Sequence, residues 1–206
     1  MSGPQGFSIL DGTQEPKVLG ETGFPYNMTD KEDYAIILDY LPNGYPLAGR
    51  MTPIAQAIGE KTLALLELVP RRGVSLEIKE KVYIGPEKRD KIYYIAGRLQ
   101  SSRITETAKI QLQEFIDKLV AEQEKKFVDF FNNAQAINTR LHQVELLPGF
   151  GKKHMQEILS EREKKPFESF EDMKARVSNL PDPKKAIEKR ILEELLERQR
   201  FNLFVR

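Results

Sequence analysis

Apolar residues change their rhythm twice along this chain. Between residues 33 and 100 they fall in short runs and alternations of strand type. Tyr34-Ala-Ile-Ile-Leu-Asp-Tyr40 is a β-prone run closed by the turn residues Pro42-Asn43-Gly44. Residues 51–59 add one more strand or a short irregular segment. Thr62 to Val69 is a second apolar run, ended by Pro70-Arg71-Arg72-Gly73. From Ser75 to Ile84, Leu76, Ile78, Val82 and Ile84 share one face, and Glu77, Lys79, Lys81 and Tyr83 share the other. Gly85-Pro86 stops that run, and Lys91 to Leu99 supplies the last strand. Four or five short strands in under 70 residues predict a small OB-like β-barrel over 31–103.

From Thr105 the period becomes helical. Ala108, Leu112, Phe115, Leu119, Phe127, Phe130, Phe131 and Ala134 recur at spacings of three, four and eight, which predicts one connecting helix or two in series over 104–135. Ile137, Leu141 and Val144 predict the next helix, and Met155, Ile158 and Leu159 the one after it. Between them lies Leu147-Pro148-Gly149-Phe150-Gly151-Lys152-Lys153. Pro166-Phe167 then breaks the chain, and Ser169 starts a further helix as N-cap, with Asp172 at its third position. Residues 1–30 follow neither rhythm. Their five glycines and three prolines predict an extended arm, pinned by Phe7, Ile9, Leu10, Phe24 and Tyr26, or a plain tail.

A repeat emerges when the chain is shifted by 33 residues against itself. Val144 then meets Val177, Leu147 meets Leu180, Pro148 meets Pro181, Lys152 meets Lys185, and Ile158 meets Ile191. The predicted fold class is therefore α+β: the barrel, the connector, and an all-α tandem helix-hairpin-helix domain over 136–206. In the second copy Gly149, Phe150 and Gly151 are replaced by Asp182, Pro183 and Lys184.

Two glycines one residue apart, followed by a helix start, leave backbone N–H groups uncovered at the positive end of that helix. Such a junction binds anions. Pro148, Gly149, Phe150, Gly151, Lys152 and Lys153 are therefore the candidate nucleic-acid-binding residues, with phosphate held by main chain and Phe150 anchoring the hairpin. In the second copy an aspartate repels phosphate and a proline lacks the donor. Lys184 and Lys185 remain auxiliary contacts. Arg71 and Arg72 join them, because six of the seven tyrosines lie between Tyr34 and Tyr94 among basic residues, a pattern suited to base stacking. Against this, the glycines also suit a bare tight turn, and tyrosines are common in strands.

Composition narrows the setting. Charged residues make up 31% and hydrophobic ones 40%, enough to bury a core in a water-soluble chain. No apolar run approaches the roughly 20 residues of a membrane span, and no secretory signal is visible at the start. Cys is absent and only His142 and His154 are present, so no metal site and no cofactor are expected. The cytoplasm is the expected location. Residues 139–206 carry 15 Lys+Arg against 12 Asp+Glu, and residues 1–138 carry 17 against 19, so the positive excess falls on the side of the hairpin.

The barrel-like first half, the long helix and the segment LPGFGKKHMQEILSEREKKPFESFEDM resemble an uncharacterised archaeal domain-of-unknown-function family. That resemblance covers the chain from about residue 30 onward. It implies an OB-like barrel joined to a helix-hairpin-helix domain, RNA or DNA binding, and a link to translation or ribosomal RNA. It implies no catalytic residues. Helix-hairpin-helix glycosylases of DNA repair share the Pro-Gly-x-Gly hairpin and a later aspartate, here Asp172. The match fails at His154-Met155, and the chain lacks room for a base-flipping pocket. The expectation is a non-enzymatic nucleic-acid-binding protein, RNA favoured over DNA. The alternative is an interaction scaffold with a ribosomal or polymerase protein partner, for which Phe201 to Val205 could serve if exposed.

Overall fold

The computed structural model describes residues 32–45 and 51–205, so the N-terminal arm expected at 1–30 lies outside the described residues. Five strands form one antiparallel sheet: β1 (Tyr34–Leu41), β2 (Ile54–Gly59), β3 (Leu65–Pro70), β4 (Lys81–Tyr83) and β5 (Ile92–Arg98), in the order β4-β1-β2-β3-β5. The edge strands β4 and β5 share no ladder among the described residues, so the sheet is a curled half-barrel and not a closed one.

Strands β2 and β3 are buried along their whole length, and β1 is buried at Ala35, Ile37 and Leu38. Ala35, Ile37, Ala55, Ala57 and Leu68 pack inside the curl with Val82 and Ile92 from the two edges. Leu38, Ile58 and Leu65 point the other way, into a core shared with the helices. The alternation expected from Ser75 to Ile84 holds only in part. Lys79 adopts a left-handed backbone with φ 68°, and the Glu80 N–H donates to the Glu77 carbonyl at 3.2 Å. That turn shortens β4 to three residues and leaves Ile78 exposed while Leu76 and Val82 are buried.

Helix α1 (Glu106–Glu122) starts where the sheet ends. Thr105 Oγ1 accepts the Ala108 N–H at 3.0 Å and donates to Asp39 of β1 at 2.6 Å, so one hydroxyl caps the helix and ties it to the sheet. Ala108, Leu112, Ile116 and Val120 form the buried stripe, each 0% exposed. Gln123 separates α1 from α2 (Glu124–Asn133), and thus the connector is two helices in series.

The expected helix over Ile137, Leu141 and Val144 is not formed. Strands β6 (Ala136–Asn138) and β7 (Leu141–His142) pair as a small hairpin, followed by a 3-10 turn at Gln143–Leu146. The cause is local. Asn138 Oδ1 accepts the Arg140 N–H at 2.8 Å, which turns the chain back before a helical turn can close. His142 Nδ1 then accepts the Val144 N–H at 3.2 Å, while Glu145 accepts the His142 N–H at 2.9 Å.

Helices α3 (Lys152–Lys164), α4 (Phe170–Arg176) and α5 (Pro183–Leu196) complete the fold. Arg162 of α3 donates to the Phe131 and Ala134 carbonyls at 2.9 and 2.8 Å, closing the open end of α2. Beyond α5 the tail returns to the core. Phe204 meets Phe127 and Phe130 edge-on at 5.6 and 5.1 Å.

Candidate nucleic-acid interface

Leu147 to Phe150 make a tight turn before α3. The Phe150 N–H donates to the Leu147 carbonyl at 3.0 Å, with Pro148 second and Gly149 third in the turn. Gly149 has φ 85°, the value that the third residue of a type II turn requires and that L-residues avoid. Leu147 and Phe150 are the buried posts of this turn, and Phe150 packs at a tilt against Phe131, 5.8 Å between centroids. Its ring is therefore a core anchor. Gly149, Gly151, Lys152 and Lys153 are exposed, with Pro148 half-buried.

Gly151 is the N-cap of α3 and has no side chain to cap with. The first bond of the helix runs from the Met155 N–H to the Gly151 carbonyl at 3.0 Å, so the N–H groups of Gly151 to His154 precede the ladder. No acid sits in the first turn. Lys152 has no ion pair among the described residues, and Lys153 only approaches Glu157 at 3.9 Å on the open surface. Two cations at the positive end of a helix are unfavourable on their own. An anion there would relieve them.

The second hairpin fills the equivalent place from within. Asp182 caps α5, its carboxylate accepting the Lys184 and Lys185 N–H groups at 3.0 and 3.3 Å. Lys184 also lies 3.7 Å from Glu188, whereas Lys185 is exposed. The two hairpins lie side by side, since a methyl group built on Gly149 would sit 3.5 Å from Pro181 Cβ. Asp172 serves its own helix: Ser169 accepts its N–H at 3.0 Å, and its carboxylate accepts the Glu168 N–H at 3.1 Å. That backbone donor and then Arg176 hold it below the usual carboxylate range.

Residues 31–206 match the family model described as a protein of unknown function, DUF655. The chain belongs to this family. It is 44% identical over 177 residues to Uncharacterized protein MJ0038 of Methanocaldococcus jannaschii, covering 85% of this chain and 80% of that protein. It is also similar to the crystal structure of Af1531 from Archaeoglobus fulgidus, with a TM-score of 0.73 and 43% identity over 85% of this chain and 100% of that one. DUF655 supplies an archaeal kinship and a fold. The chemistry has to be read from the residues.

Arg71 and Arg72 are not part of the hairpin site. They follow β3 at the end opposite Leu65, which meets the helical core, so roughly 20 Å of strand separates them from it. There they border a groove of about 770 Å³ with Tyr40, Pro53, Val74 and Tyr93. Sequence reading missed this groove and the capping role of Asp182. The second had a signal, because Asp-Pro before an apolar period marks a helix start. Among the described residues no helix is long and apolar enough to cross a membrane, and no cluster could hold a metal ion.

Proposed function

We propose that this protein binds nucleic acid without catalysing a reaction, holding a backbone phosphate at the Leu147–Gly151 hairpin that opens α3. One observation carries the reading. Helix α3 begins at an uncapped glycine, with two exposed lysines and no acid in its first turn. Its neighbour α5 begins at the same hairpin cluster with a carboxylate already seated on its donors. Phosphate meets what the first junction lacks: it accepts the free N–H groups and neutralises the lysines.

Contacts of this kind position a backbone and do not read bases. The preference for RNA rests on the resemblance to a family linked with translation and ribosomal RNA. The scaffold alternative draws no support from the C-terminal tail, because residues 201–205 are half-buried and pinned into the core. The deciding experiment is Lys152→Glu/Lys153→Glu, titrated with labelled RNA and DNA at several salt concentrations. Affinity is expected to fall, and the slope of log affinity against log salt to drop by about one for each phosphate that the variant no longer neutralises. An unchanged slope and affinity in the folded variant would remove the assigned site.

A further inference from the structure

The groove beside Arg71 and Arg72 has features that the fold does not need. We propose that it receives an unpaired stretch of nucleic acid, stacking a base on Tyr93 and seating the adjoining phosphate on Arg72. This rests on the nucleic-acid reading above and adds a second, strand-selective contact to it.

The decisive element is a β-bulge. Val69 pairs with Tyr94 and Pro70 pairs with Ile92, so Tyr93 is the extra residue between them. Pro70 has no N–H to donate at this rung, and the pairing resumes beyond it with the Arg71 N–H on the Lys91 carbonyl at 2.8 Å. A bulge re-aims a side chain, and Tyr93 is 65% exposed at the wall of the groove. Tyr94 meets it in an edge-to-face contact, with ring centroids 5.5 Å apart.

Charge completes the argument. Among the described residues bordering the groove there are two arginines and no carboxylate. Arg71 is oriented by its Nε donating to the Arg89 carbonyl at 2.8 Å, whereas Arg72 is exposed without an ion pair among the described residues. The floor is apolar, built on Pro42, Pro53 and Val69. A base face and a phosphate match this pairing of apolar ring and free guanidinium. Bases inside a duplex have both faces covered by neighbours, so the occupant is single-stranded.

The test titrates the full chain with a short labelled oligouridylate and with an RNA duplex. Tyr93→Ala and Arg72→Glu are each expected to weaken oligouridylate binding about tenfold, with Tyr93→Phe near wild type and duplex binding little changed. Tyr93 and Arg72 are exposed, so these variants should keep the wild-type melting temperature. If oligouridylate affinity stays unchanged while Lys152→Glu/Lys153→Glu still weakens the duplex, the groove is overturned and the hairpin stands. If only the groove variants respond, the hairpin reading fails and the groove stands. No response in either set overturns both. Tighter binding of a polyglutamate peptide than of oligouridylate overturns the groove in favour of an acidic protein partner.

Discussion

Gly151 and Asp182 hold the same position, the residue before the first turn of a helix, and leave opposite surfaces behind. Asp182 seats a carboxylate on the N–H groups of its own helix, whereas Gly151 leaves those of α3 uncovered. The sequence repeat does not align them. It places Gly149 against Asp182, because α5 begins two residues earlier in the repeat frame than α3 does. The earlier start draws the aligned Asp-Pro-Lys segment into the helix. What was a glycine hairpin in one unit is a capped helix end in the other.

Gly151→Asp should copy the second hairpin into the first. Gly151 already has the extended backbone of an N-cap, with φ −104°, and a side chain there would meet nothing within 4 Å. The aspartate would cap α3 and offset Lys152 and Lys153, stabilising the fold by about 0.5 kcal/mol. It would also occupy the phosphate position. Urea unfolding and RNA titration should therefore move in opposite directions, stability up and affinity down. A variant that binds as tightly as wild type would show that phosphate does not sit at this helix end.

Gly149→Ala tests the turn and leaves the helix end alone. The added methyl would lie 3.5 Å from Pro181, an ordinary contact, so the cost comes from the backbone at φ 85°. A left-handed residue other than glycine costs about 1–2 kcal/mol. The expected result is a lower urea midpoint with the slope of the transition unchanged. A loss below a few tenths of a kcal/mol would mean that the turn relaxes into another form.

Much of this fold is legible in the sequence because burial repeats with a simple period. The runs in β1 and β3 follow from that period directly, and so do Ala108 and Leu112 of α1, although Ile116 and Val120 take the fully buried places expected for Phe115 and Leu119, which are partly buried. The segment from Ile137 to Val144 misleads because its spacings of four and three match a helix, while the Asn138 side chain bonds locally and turns the chain. Lys79 breaks the alternation by a left-handed turn, which no periodicity reports. The hairpin itself is visible in Pro148, Gly149 and Gly151. The bulge at Tyr93 is not, since it is a matter of register against Pro70 in the partner strand, 23 residues earlier.

Glu194 fastens the C-terminal tail. Its side chain is 0% exposed, accepts the Leu203, Phe204 and Val205 N–H groups at 2.6, 2.9 and 3.0 Å, and takes Arg190 Nε at 2.8 Å. Glu194→Ala would strand the Arg190 charge in the interior and orphan three amides. Breaking a buried pair this way costs about 3–5 kcal/mol. Hydrogen exchange should show protection falling first at Leu203 to Val205, with Phe204 leaving Phe127 and Phe130. Protection that persists at those amides would place the clamp elsewhere.

His142 gives the fold a dependence on acid. Burial first, and then the Arg162 guanidinium, hold its imidazole below the ordinary value of about 6.5, while Glu145 pulls weakly the other way. Its Nδ1 accepts the Val144 N–H, a role open only to an unprotonated nitrogen. The unfolded chain therefore binds the proton more readily than the folded one, and stability rises with pH across this range. The contribution is complete above about 6.5 and is lost as pH falls through the lower folded-state value. His142→Asn keeps a side-chain acceptor at the cap and removes the titration. Urea unfolding of both proteins between about pH 5 and 8 should give curves that diverge below about 6.5, wild type falling faster. The 3-10 turn that His142 caps ends at Leu146, one residue before the hairpin, so the same protonation should loosen Leu147 and Phe150. Parallel unfolding curves would show that the His142 cap does not set the acid response.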